Sequence, residues 1–359
     1  MLSELNMECS SLKNERYYYG IMPQLEREAY KIIYTGLKNR LYEIIVPSEL
    51  VSAQIQEIYL RVLYDTPLFF FVNQTVIRIV GQSGFHILLP EYLYTSNQIV
   101  AINKDIRSIV NKVVVNAQKF AFDEFRLEKY LHDSVVKSVA YDYDSLKRTD
   151  CFNAHSIVGA FLDNKAVCEG IAKAFKLLCN EFGIKCIVVV GKANQEGDFN
   201  VNDYHAWNVV KIGKESYHVD VTWDNMYDKG LQHISYDYFN VTTEQIMLDH
   251  QPIVELPMCN STRLNYFYCT NSFVSTYDEL VTLIEQRFNS KSIMFKARKD
   301  QGEFQQLQEL KEKTITAVMH AMFKTGLRKE FALVFNEIHN IGKIIFISNQ
   351  KKIDLKKHN

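Results

Sequence analysis

The sequence predicts an α+β fold in which a helix starting near Val167 is followed by a buried central strand and a β-hairpin. Three observations predict this. Apolar Ile171, Ala174, Phe175 and Leu178 recur at helical spacing between Val167 and Phe182, and Gly183 stands where such a helix would stop. Ile184 to Val190 is an almost wholly apolar, β-branched run with the length of a central strand. His205 to Ile212 and Ser216 to Val221 are strand-like runs on either side of Gly213-Lys214, the pattern of a hairpin.

The flanks are also of mixed type. Residues 1 to about 20 are polar and aperiodic and are expected to form an arm. Gln24 to Leu41 and Ser52 to Tyr64 have helical periodicity. Tyr42 to Val46, Leu68 to Val72, Val76 to Val80 and Phe85 to Leu89 are expected as strands. Asn97 to Asp123 and Glu124 to Val139 are expected as helices leading into the centre, and Tyr141 to Asn153 and Gly191 to Asp203 as loops. Further on, Asp278 to Phe288 and Glu303 to Phe323 are helix-like, and Ile293 to Ala297, Phe331 to Phe335 and Lys343 to Ser348 strand-like. The division expected is an α+β module over residues 1–95, a central core over 96–255 and a third α+β module over 256–359, ending in a solvated Lys-rich tail from Lys351 to Asn359.

Composition narrows the function. The chain has 359 residues, 47% hydrophobic and 23% charged, enough to bury a full core. With 41 basic against 42 acidic side chains, its net charge of -1 gives no electrostatic reason to bind nucleic acid or an anionic membrane. No apolar run reaches the roughly 18 residues of a membrane span, and the start lacks a basic stretch followed by an apolar one. The seven cysteines are scattered, without a CxxC pair, so neither a zinc site nor a thioredoxin-like motif is expected and a cytoplasmic setting is. Gly191-Lys192 lacks the rest of a phosphate-binding loop, and no cofactor or metal is expected.

One cysteine differs from the rest. Cys168 stands at the start of the predicted helix, where free backbone N–H groups and a partial positive charge favour a thiolate and can receive an oxyanion. His205 opens a strand 37 residues later, and Asp220 ends the next strand after a further 15. Counting outward from the turn brings the two near the same open end of the hairpin. The carboxylate is then expected to hold the His205 Nδ1–H, completing a Cys-His-Asp set with Cys168 as nucleophile, His205 as base and Asp220 as orienter.

The strings around these residues are specific. Val-Cys-Glu-Gly-Ile-Ala (167–172), His-Ala-Trp-Asn-Val-Val (205–210) and Tyr-His-Val-Asp-Val-Thr-Trp-Asp (217–224) occur in order. They resemble the transglutaminase-like superfamily, whose nucleophile, base and acid match Cys168, His205 and Asp220. Leu-His-Asp-Ser-Val-Val (131–136) and Tyr-Asp (141–142) look like the lead-in of bacterial members, which often carry extra flanking regions. The resemblance spans about residues 125–250. It implies a papain-like core and acyl transfer from an amide of a protein or peptide through a thioester, with water or an amine as acceptor. It also implies an oxyanion hole made by the Cys168 backbone N–H and a second donor, for which Tyr141 is a candidate. The alternative is a module that keeps the fold as a silent binding scaffold.

Blander roles compete for each residue. Cys168 alone would read as a buried packing cysteine and His205 as a hydrogen-bonded structural histidine. Asp220, between Val219 and Val221, needs a partner under any reading. His218 shares its strand face and is a rival base. Trp207 and Trp223 are expected as core or site walls, Asp224 as a turn cap or cleft residue, and Glu169-Gly170 as helix-start packing. His132, Asp133 and the His155-Ser156 pair are expected to be structural.

Overall fold

A computed structural model describes residues 16–74, 77–148, 150–194, 204–225, 233–298, 303–304 and 306–347. Near the N-terminus, the helices Gln24–Lys38 and Ser52–Asp65 pack together beside a small antiparallel sheet. Its strands are β1 (Ile44–Pro47), β2 (Arg78–Gln82) and β3 (Phe85–Leu89), in the order β1-β3-β2. Two helices, Ser96–Ala117 and Glu124–Ser138, lead to the centre, and Asp123 caps the second by accepting from the Arg126 N–H. A short parallel pair follows, β4 (Ala140–Tyr141) with β5 (Lys165–Ala166).

The helix Cys168–Glu181 comes directly after β5 and packs on a five-stranded antiparallel sheet. The strands are β6 (Lys185–Ala193), β7 (Tyr204–Ile212), β8 (Glu215–Val219), β9 (Phe239–Val241) and β10 (His250–Pro252), in the order β10-β6-β7-β8-β9. This is the α+β arrangement that the periodicities predict. Ile171, Ala174, Phe175 and Leu178 all enter the main hydrophobic cluster, which takes in residues from Tyr18 to Ile341. A four-stranded sheet, β11 (Phe273–Val274), β12 (Ser292–Ala297), β13 (Glu330–Asn336) and β14 (Ile341–Ile347), follows in the order β11-β12-β14-β13. It packs with helices Tyr277–Arg287 and Leu307–Thr325 around a second cluster running from Val274 to Ile344. Among the described residues no helix is long and apolar enough to cross a membrane.

Three local expectations are corrected. Tyr17–Ile21, placed in an aperiodic arm, is a helical turn, and residues 1–15 lie outside the described part. Tyr18 is buried and donates its hydroxyl to the Val188 carbonyl of β6, so a tertiary anchor orders a segment that has no periodicity of its own. Leu68 to Val72 is not a strand but a chain of turns with a single bridge, Val72 to Tyr92. Its three consecutive phenylalanines are all buried, so the run is apolar because every side chain is enclosed, not because one sheet face is. Finally, β8 ends at Val219, one residue short of Asp220, with an irregularity against β9 at His218/Val219. The Lys-rich tail and most of the 191–203 loop fall outside the described residues.

The core includes one carboxyl without a charge partner. Glu128, on the Glu124–Ser138 helix, is fully buried; Asn240 donates to Oε2, while Oε1 has no partner among the described residues. Burial pushes this carboxyl from 4.5 up to about 8, against the opposing pull of the Asn240 bond and of His132. Between those two values the folded chain holds a proton that the unfolded chain has released, so stability falls as pH rises through that window. Glu128→Gln should therefore raise stability at pH 8 by about 2 kcal/mol and flatten its decline above pH 5, as read from thermal melts across pH.

Candidate active site

The start of the Cys168–Glu181 helix is held by backbone bonds from three directions. The β4–β5 register sets Tyr141 beside Ala166, two residues before Cys168. The Asp142 N–H donates to the Ala166 carbonyl, and the Val167 N–H to that of Ala154. Gly170 lies against the same turn: a Cβ there would come within 2.4 Å of the Ala154 carbonyl oxygen and 3.0 Å of that of Ser156. The glycine of the Cys-Glu-Gly string is thus a close-approach residue that seats the helix start.

Cys168 is partly exposed at this helix end. The Tyr141 hydroxyl lies beside the Cys168 side chain and backbone N–H, close enough for both to shift its pKa. Burial is the main reason the Tyr141 phenol is held above its ordinary range, and the Cys168 side chain adds to it. On the other side, the Cys168 side chain lies close enough to His205 to raise its pKa.

His205, the second residue of β7, pairs across the sheet with Gly191 of β6 and is 7% exposed. Its Nε2 lies 2.6 Å from Asp220 Oδ2. The sequence reading had assigned the carboxylate to Nδ1; the opposite nitrogen holds it. The reason is the end of β8. Continued, the ladder would bring Trp207, not His205, opposite Asp220, but the chain turns instead, and Asp220 Oδ1 accepts the Thr222 and Trp223 N–H groups at 2.9 and 3.1 Å. That turn swings Oδ2 towards the far side of the imidazole.

The electrostatics follow from burial and pairing. Asp220 has no exposure. Burial alone would raise its carboxyl, but His205 and His250 outweigh it and hold the group well below the usual carboxylate range. For His205 burial works downward, yet the Asp220 charge and bond, with the Cys168 contact, raise it from 6.5 to about 10. The imidazolium is therefore the resting form across neutral pH.

The other singled-out residues surround this trio. Trp207 stacks against His205 at 6.2 Å, and Trp223 lies 5.4 Å from it, so both are site walls. His218 accepts the Trp207 Nε1–H on Nδ1, and its Nε2 faces Thr243 Oγ1. Burial and His250 lower it to about 3, so it is a neutral spacer inside the sheet. His132 bridges Asp133 and Asp224, and Asp224 also accepts the Tyr238 N–H, which puts the three in a buried network. Glu169 does more than pack: it pairs with buried Lys173 at 2.6 Å and with His155 at 3.0 Å. Tyr64, from the Ser52–Asp65 helix, packs with Cys168 against Ala172, Val188 and Ala206.

Sequence reasoning missed His250, whose Nε2 is 3.1 Å from Asp220 Oδ2. Its only signal was an acidic-histidine pair, Asp249-His250, in a stretch without periodicity. His205, Asp220 and His250 bring donor atoms within 4.8 Å of one another, the one such group found among the described residues. Nε2 of both imidazoles is within hydrogen-bond distance of Asp220 Oδ2, so these groups already partner one another.

Residues 109–223 match the sequence profile of the Transglutaminase-like superfamily. The matched stretch contains the Cys168–Glu181 helix, the β7–β8 hairpin and Asp220, whereas β9 and β10 lie beyond it. No curated protein matches the chain. Among solved structures it is similar to one titled a TGase, at 16% identity and TM-score 0.29, over 50% of each chain. Another is titled a "Putative Cysteine Protease from Cytophaga hutchinsonii", at 17% identity and TM-score 0.23, over 51% of this chain and 65% of that one. The chain thus spans less than two thirds of the length of either.

The seating of the Cys168–Glu181 helix is open to a direct test. Gly170→Ala should cost about 1–3 kcal/mol in denaturant unfolding, since the new methyl meets backbone that cannot swing aside. It should also slow alkylation of Cys168 in the folded protein.

Proposed function

We propose that the chain is a thiol-dependent acyl-transfer enzyme acting on amide bonds, a peptidase or amidase or a protein cross-linker. The observation that carries this reading is the convergence of three side chains: Cys168 at a helix N-terminus and close to His205, and His205 bonded to Asp220. The Cys168 thiolate attacks the amide carbonyl, and the carbonyl electron pair moves onto oxygen. The Cys168 backbone N–H and the Tyr141 hydroxyl, both beside the sulfur, stabilise that oxyanion. Imidazolium His205 gives its proton to the departing amine, leaving a thioester. His205, now neutral, takes a proton from water or from an acceptor amine as it attacks, and collapse of the second intermediate restores the thiolate. Asp220 keeps the imidazole oriented throughout.

The free thiols Cys151, Cys168, Cys179, Cys186, Cys259 and Cys269 agree with a reducing, cytoplasmic setting, which belongs to the same proposal.

A thiol-reactive probe with peptide mapping should label Cys168 well ahead of the other cysteines, including exposed Cys269. Labelling no faster than Cys269 would leave the silent binding module as the better reading. On a casein-type substrate, release of new amino termini would identify hydrolysis, and incorporation of a labelled amine would identify cross-linking. Cys168→Ala should lower either by at least about 10³-fold with little change in melting temperature. Tyr141→Phe should lower kcat by about 10²-fold while KM moves little.

A further inference from the structure

The hydrogen bonds do not stop at Asp220. His250 opens the edge strand β10, which reaches the site because Gly191 has no side chain. A Cβ on Gly191 would fall 2.3 Å from the Gln251 carbonyl oxygen and 2.8 Å from Trp207 Cη2. His250 is 1% exposed. Its Nε2 is 3.1 Å from Asp220 Oδ2 and its Nδ1 is 2.6 Å from Asp249 Oδ1.

Both partners are carboxylates, and an ionised carboxylate only accepts. A neutral imidazole has a single N–H and could serve one of them, so serving both requires a proton on each ring nitrogen. The surroundings suit a buried cation. Its ring centre lies 4.5 Å from that of Trp223, 5.1 Å from that of Trp207 and 5.3 Å from that of Tyr238. Asp249 is itself well supplied, since its Oδ2 accepts from the Tyr238 hydroxyl at 2.6 Å and faces His339 Nε2 at 2.9 Å. His339 belongs to the turn between β13 and β14, so the chain of bonds runs from His205 into the C-terminal sheet.

We propose that His250 is a standing imidazolium and a positioning residue: it fixes the Asp220 oxygen that also serves His205, and it ties that oxygen through Asp249 to His339. The titratable groups facing it are Asp220, Asp249, His205, His218 and, through Asp249, the Tyr238 phenol. The low-lying Asp249 carboxyl, held at about 2 against burial by His250 and His339, is consistent with this charge. The positioning role rests on the acyl-transfer reading, whereas the charge state does not.

The first measurement uses the full chain with ¹⁵N-labelled histidine, the His250 signals being assigned by their loss in His250→Gln. Two ring N–H correlations for His250 from pH 6 to 8 are expected. A single N–H, marking a neutral tautomer, overturns the proposal whether or not the protein has activity. The second is the pH profile of Cys168 alkylation by iodoacetate, an anionic reagent drawn by the His205 imidazolium. Its alkaline limb is expected near the about 10 of His205. Removing a neighbouring positive charge in His250→Gln should move that limb alkaline by about one pH unit, with Asp249→Asn moving it the same way as His250 loses its proton. A lower melting temperature with an unmoved limb would reduce His250 to a purely structural residue.

Discussion

A carboxylate with no access to water is the constraint on which the site depends. Asp220 is fully enclosed, and an ionised group there is tolerated only if protein donors replace its hydration. Four do: the Thr222 and Trp223 backbone N–H groups on Oδ1, and His205 and His250 on Oδ2. Meeting that demand shapes the local chain. It ends β8 early, forces the turn into Trp223, and calls for an edge strand on the far side of β6 to bring in a second imidazole. Each of these is a departure from a regular hairpin, and each supplies a donor.

The same constraint explains why His205 stays protonated. Withdrawing an imidazole from water would ordinarily favour its neutral form, and here the buried negative charge at 2.6 Å wins. A charged histidine beside a thiol at a helix end sets up the proton inventory for nucleophilic attack before any substrate arrives. The N-terminal part contributes through Tyr64 on the wall beside Cys168, and the C-terminal part through His339, so the site draws on more of the chain than residues 109–223, which match the family profile.

Much of this was legible from residue order. The helix with Cys168, the strand with His205 and the strand that ends just before Asp220 stand out by their apolar periods, and three short strings in sequence tie them together. What escaped had no period to show. β10 is three residues long, and β4 and β5 are two each, so their positions are decided by partners far away in sequence. Leu68 to Val72 misled because full enclosure produces the same run of apolar residues as a central strand does. The choice between the ring nitrogens of His205 was beyond reach, since it depends on one turn after Val219 that register arithmetic does not contain. Glu169 and His155 gave no sign of pairing, being 14 residues apart across a loop.

The phenol of Tyr18, bonded to the Val188 carbonyl across 170 positions of sequence, has a consequence for how the molecule comes together. On the ribosome the early helices must wait for the central sheet to emerge before this contact can close, and a pairing so remote carries a large loop-closure cost. Until then Tyr18 and its neighbours present unsatisfied apolar surface. Assembly of this molecule is thus governed by long-range closure, and the interval before β6 is available is when the nascent chain is most open to misassociation.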